Sequence, residues 1–156
     1  TDARSMGRVS KGVRGMRLPE EHAVISMVIP EQDGFLLTVC ENGYGKRTKV
    51  EEFPTKGRGG KGMIAIQASE RNGPLVGATQ LFSGDEIMLI SDQGTMVRTR
   101  GDEVSVVGRN TQGVRIIRLK ENENLVSLAR IAEPEEDEFA ASEGDEDATE
   151  AIGSDE

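Results

Sequence analysis

The sequence has no tryptophan, one histidine, one cysteine, one tyrosine and four phenylalanines. One histidine, His22, excludes a multi-histidine metal site and gives no basis for a catalytic triad, so neither a metal nor a cofactor is expected. One cysteine, Cys40, cannot form an intrachain disulfide. It lies in an apolar run and reads as a buried small hydrophobe, and its solitude fits a reducing, cytoplasmic setting. So few aromatics, not interleaved with bases, argue against a stacking platform for single-stranded nucleic acid. No apolar run approaches the length of a membrane span, and no signal peptide is visible, so no membrane partner is expected. The first residue is not Met and a repeat begins almost at once, which reads as a piece of something longer.

What is present is charge, unevenly placed. The net charge is −9. Residues 1–132 carry all 19 Lys and Arg against 16 acids, and residues 133–156 carry 12 acids and no base. A mildly basic body beside an acidic tail points to a polyanionic partner and to a tail able to compete for the same surface; simple solubilisation by the tail is the alternative. The tail's composition predicts disorder over 133–156, without the spacing of a calcium loop.

Glycine is plentiful, at 19 residues, and it is ordered by a repeat. The segments GRVSKGVRGMRL from Gly7, GRGGKGMIAIQA from Gly57 and GRNTQGVRIIRL from Gly108 are offset by 50 and 51 residues. CENGYGKRT ending at Thr48 and SDQGTMVRT ending at Thr99 repeat in step, 51 apart. A period of about 50 residues marks a propeller, solenoid or array of supersecondary units.

Short apolar runs separated by turn signals predict strands over 12–18, 23–29, 34–40, 44–48, 62–68, 75–81, 86–91, 95–99, 113–119 and 125–131. That gives four strands per repeat and about two and a half units, with no helix. In the first strand of each unit, Val13, Met63 and Val114 align on one face and Met16, Ile66 and Ile117 on the other. Apolar residues on both faces predict a strand covered on both sides, as in stacked propeller blades. The fold class is therefore all-β: propeller-like, four-stranded antiparallel blades over 1–132. A closed propeller needs about four to eight blades. This chain closes only within a larger domain or by self-association with a second copy.

Gly57–Gly62 matches G-x-G-x-x-G, but a strand rather than a helix is expected after it and the other two copies lack the middle glycine, so nucleotide binding is disfavoured. The segment reads instead as a glycine-bent connector. Bases ride on the connectors (Arg8, Lys11, Lys56, Arg58, Lys61 and Arg109) and follow the hairpin turns (Lys46, Arg47, Lys49, Arg98 and Arg100). Radial blades would set these eleven along one curved rim, suited to a bent phosphate backbone. The bland alternative is scattered charge that protects strand edges. Tyr44 could attack phosphate in principle, yet a lone Tyr after a turn reads as packing.

Met6-Gly-Arg with Lys11-Gly-Val-Arg-Gly, Asn42-Gly-Tyr-Gly-Lys-Arg-Thr48, Val97-Arg-Thr99 and Val107-Gly-Arg-Asn-Thr-Gln-Gly113 together resemble the C-terminal domain of the bacterial DNA gyrase A protein. The resemblance covers roughly 5–132 and extends to the acidic tail. It implies a six-bladed β-pinwheel with strands exchanged between blades, of which this chain would be the C-terminal half. It implies non-catalytic, sequence-independent wrapping of double-stranded DNA in support of ATP-dependent negative supercoiling. The implied partners are DNA, the remainder of gyrase A and, in the holoenzyme, gyrase B. The family's heptapeptide box, Gln-Arg-Arg-Gly-Gly-x-Gly, is only echoed by Lys56–Gly62 (KGRGGKG) and is expected upstream. The alternatives are the equivalent domain of topoisomerase IV and a protein-interaction propeller.

Overall fold

The computed structural model describes residues 4–132; the segment 133–156, expected to be disordered, lies outside the described residues. Seven strands are present among them: β1 (Phe35–Cys40), β2 (Tyr44–Lys49), β3 (Leu75–Leu81), β4 (Glu86–Ser91), β5 (Met96–Arg100), β6 (Val114–Arg115) and β7 (Leu125–Ile131). One-turn 3₁₀ segments, Val50–Glu52 and Gly101–Glu103, follow β2 and β5 at matching repeat positions. The fold is all-β, and its sheets are antiparallel.

Two hairpins carry the repeat. In β1–β2 the loop closes on Gly43 at φ 80°, whose N–H donates to the Cys40 carbonyl at 3.1 Å. In β4–β5 Gly94 takes φ 81° and donates to Ser91 O at 3.2 Å. Only the glycine of each turn uses the left-handed region, where it has no Cβ to obstruct it.

The sheets do not coincide with the repeats. One has the order β3-β1-β2-β6 and the other β5-β4-β7. β1 and β2 come from the first repeat, β3 from the second and β6 from the third; β4 and β5 come from the second and β7 from the third. The register also repeats. β1 pairs β3 from Phe35↔Leu81 to Cys40↔Leu75 with a shift at Val39/Cys40, and β4 pairs β7 from Glu86↔Ile131 to Ser91↔Leu125 with a shift at Ile90/Ser91. Each sheet thus borrows its third strand from the following repeat.

Four expected strands are corrected. Residues 12–18, 23–29 and 62–68 are irregular, and 113–119 contributes only Val114–Arg115. Left-handed glycines at the head of 12–18, 62–68 and 113–119, Gly12 at φ 76°, Gly62 at 79° and Gly113 at 76°, turn the chain out of an extended path. Nor is the first of these segments covered on both faces: Val13 and Met16 are 43% and 45% exposed, whereas Ile66 and Ile117 are buried.

Leu37, Val39, Leu81, Ile87, Leu89, Val104, Ile117 and Leu125 form one buried cluster drawn from both sheets. The sheets close on each other where β3 meets β7. There Gly77 admits Leu128, whose Cδ2 lies 2.5 Å from where a Cβ would stand.

Candidate nucleic-acid interface

The repeated Gly-Arg segments, each a connector and the stretch that follows it, are stitched to one another by the backbone. Arg17 N–H donates to Gly60 O at 2.8 Å and Gly59 N–H to Gly15 O at 2.6 Å, which lays the first repeat against the second. An open groove of about 390 Å³ lies along that seam, lined by Gly15, Met16, Lys56, Gly57, Gly60, Lys61 and Gly62. The second repeat then meets the third: Gln67 N–H donates to Thr111 O at 2.9 Å, and Arg109 Nη1 to Ile64 O at 2.6 Å.

The third connector is the most firmly held. Glu52 Oε2 accepts the Arg109 N–H at 2.8 Å, Thr48 Oγ1 donates to Val107 O at 3.0 Å, and Gln67 Nε2 donates to Asn110 Oδ1 at 2.7 Å. Gly113 fits directly on β2: a Cβ there would stand 2.6 Å from the Gly45 carbonyl.

Two of the eleven proposed phosphate contacts are corrected by where they lie. Lys46 is fully buried. Its Nζ donates to Gly108 O at 2.8 Å, Arg109 O at 2.5 Å and Thr111 Oγ1 at 3.2 Å. All three ammonium protons are therefore engaged within the fold. Burial pushes its pKa below the ordinary lysine value, with Glu52 opposing and Arg109 adding to that shift. Arg47 is 7% exposed. It donates through Nε to Val104 O at 2.8 Å, through Nη1 to Asp102 Oδ1 at 2.8 Å and through Nη2 to Asp102 O at 3.1 Å, and it lies over the Phe35 ring. The Gly84 N–H, with Arg47, holds the Asp102 carboxyl below the usual carboxylate range. Both cations sit mid-strand on β2, which is covered on one side by β1 and on the other by the chain from Val104 to Arg115. A charge there is enclosed instead of presented.

The other nine candidates have different settings. Arg8, Lys11, Lys49, Lys56, Arg58, Lys61 and Arg100 are exposed. Arg109 is half-buried with one guanidinium nitrogen engaged by Ile64. Arg98 is exposed but ion-paired with Glu86, its diagonal neighbour across β4–β5. Sequence reasoning passed over Arg14, Arg17, Arg71, Arg115, Arg118 and Lys120. For two pairs the signal was available: Arg14 aligns with Arg115 and Arg17 with Arg118 at an offset of 101 residues.

The comparisons with known proteins agree with this architecture. The family described as "DNA gyrase C-terminal domain, beta-propeller" matches residues 1–31, 34–80 and 85–132. The DNA gyrase A protein of Salmonella typhimurium is 53% identical over 150 residues, 92% of this chain, and that of Pseudomonas aeruginosa is 55% identical over 151 residues, 96% of this chain. The chain spans 17% and 16% of the length of those two relatives. A solved gyrase A C-terminal domain superposes with a TM-score of 0.75 at 31% identity over 84% of this chain and 45% of that one. The C-terminal domain of a DNA topoisomerase IV gives the same TM-score at 20% identity, over 84% of this chain and 41% of that one, a likeness of fold alone. With three repeats matched in register and strands exchanged between successive repeats, the chain belongs to the family of DNA gyrase A C-terminal β-propeller domains.

Proposed function

We propose that this chain binds double-stranded DNA without sequence preference, along its stitched connectors, and so supports DNA wrapping and ATP-dependent negative supercoiling by a gyrase. One observation carries the reading. The repeated segments that begin at Gly7, Gly57 and Gly108 are bonded in turn, Gly15 and Arg17 to Gly59 and Gly60 and Gln67 to Thr111, and Arg8, Lys11, Lys56, Arg58 and Lys61 stand exposed on the connectors of the first two. Cations repeated along adjoining bends suit a phosphate backbone that curves with them. The scarcity of aromatics and, among the described residues, the lack of an α-helix to carry base-edge readers favour phosphate contact over sequence reading.

The contact set in this reading is Arg8, Lys11, Lys49, Lys56, Arg58, Lys61, Arg98, Arg100 and Arg109, without Lys46 and Arg47. The body is 1–132 and the tail 133–156. The remainder of gyrase A and gyrase B are the protein partners, the setting is cytoplasmic, and no cleavage chemistry is assigned to this segment. Among the described residues no helix is long and apolar enough to cross a membrane.

The test is an anisotropy titration on a linear duplex at several salt concentrations. Log affinity should fall with log salt at a slope of about −0.9 per phosphate neutralised, and R58Q/K61Q should flatten it by about 1.8. A protein whose affinity ignores salt does not bind DNA in this way.

A further inference from the structure

A second cationic group lies at the opposite end of β2 from Lys49, roughly 17 Å away along a six-residue strand. Its centre is Tyr44. Arg71 Cζ lies 4.5 Å and Arg115 Cζ 5.1 Å from the centroid of the Tyr44 ring. Arg115 Nη2 donates to the Tyr44 hydroxyl at 2.5 Å and Arg71 Nη2 to Gly113 O at 3.0 Å, so both guanidinium groups are fixed in place. Arg115 then joins Arg118 and Lys120 in lining an open cavity of about 580 Å³.

The cavity wall is built rather than loose. Asn122 turns the chain at φ 60°, Gln93 Nε2 donates to Asn122 O at 2.8 Å, and Leu125 N–H donates to Glu41 O at 2.8 Å. The acid in the lining, Glu123, is engaged by the Ser91 hydroxyl at 2.5 Å and the Lys120 N–H at 2.9 Å. Asp92 accepts the Asn124 N–H at 3.0 Å. The ion pairs among the described residues lie elsewhere, at Arg47–Asp102, Arg98–Glu86 and Arg130–Asp85.

Two guanidinium groups gathered on one ring repel each other, and cation–π contact offsets that only in part. Arg115, Arg118 and Lys120 line the open cavity, Arg71 stands beside Arg115 on the Tyr44 ring, and none of the four is in one of those ion pairs; such a group matches the fork geometry and charge of phosphate. We infer that Arg71, Arg115, Arg118 and Lys120 form a second anchoring site for the phosphodiester backbone of duplex DNA, separate from the connector groove. The inference rests on the DNA-binding reading above and extends it to the Tyr44 end of β2. The repeat register supports it, since Arg14 and Arg17 copy Arg115 and Arg118 one double period earlier.

The experiment uses the intact chain and a linear duplex, with salt titrations of wild type, R58Q/K61Q and R118Q/K120Q. Arg118 and Lys120 are exposed, so R118Q/K120Q should melt as wild type does. The expected result is a salt slope flattened by about 1.8. R115Q is a second variant, expected to flatten the slope by about 0.9; its melting curve would separate loss of contact from loss of fold. If R58Q/K61Q flattens the slope and R118Q/K120Q leaves it at the wild-type value, the second site is refuted while DNA binding stands. If the wild-type affinity itself is insensitive to salt, the DNA reading fails and this inference with it.

Discussion

Replacing Lys46 by methionine separates two accounts of the same residue. As a phosphate contact, Lys46 would carry charge to DNA; as an internal clamp, it holds the third connector to β2. Its Nζ reaches two carbonyls and a hydroxyl on Gly108, Arg109 and Thr111. K46M keeps an unbranched side chain of similar length, so the cavity term should be small. It deprives both carbonyls of their ammonium donor. A hydrogen bond to a charged group contributes about 1.5–3 kcal/mol, and burying the ammonium works against that gain. The net expectation is a loss of about 2–4 kcal/mol, or on the order of 10 °C in Tm for a folded region of this size. Urea denaturation measures it, with the m-value checked for constancy. The salt slope of DNA binding, measured well below the variant's Tm, should stay within error of wild type. A destabilisation under about 0.5 kcal/mol, the ordinary range for a surface change, would refute the clamp. A slope flattened by about 0.9 with stability intact would restore Lys46 as a contact.

Three further outcomes follow from the geometry. Glu123 accepts from Ser91, Thr95 and the Lys120 N–H, which together hold its carboxyl down to about 2 from an ordinary 4.5. A carboxylate depressed in the folded state adds stability above pH 4.5 that is lost as pH falls toward 2. E123Q should therefore lose less stability than wild type between about pH 5 and pH 2 in urea titrations, and parallel curves would refute the assignment. Gly113 combines φ 76° with a Cβ position 2.6 Å from the Gly45 carbonyl, so G113A should lower Tm well beyond an exposed Gly-to-Ala change. By contrast Gly7 has nothing within 4 Å, and G7A should leave Tm near wild type.

Much of the architecture was legible because it is local. The period of about 50 residues, the Asn-Gly and Gln-Gly turns and the alternating runs at 34–40, 75–81, 86–91 and 125–131 mark strands that formed as expected. The segments after Gly12 and Gly62 misled, since an apolar pattern reports a tendency to be buried and says little about partners. Residues 12–18 and 62–68 make single backbone bridges or none, and their glycines bend them away from a ladder.

The candidate site divides in the same way. Charge type and repeat spacing belong to the sequence, and they determined the family and the set of cations to consider. Which cations face outward was decided by strand exchange. The chain from Val104 to Arg115 crosses the outer side of β2 and encloses Lys46 and Arg47, whose side-chain partners lie 55–65 residues further along the sequence. The equivalent strand β5 is the end of its sheet, so Arg98 stays exposed despite occupying the same repeat position as the buried Arg47. Identical local signals thus acquire opposite environments, because burial depends on what a distant segment lays over a residue, and a sequence of short-range patterns does not encode that contact in any one place.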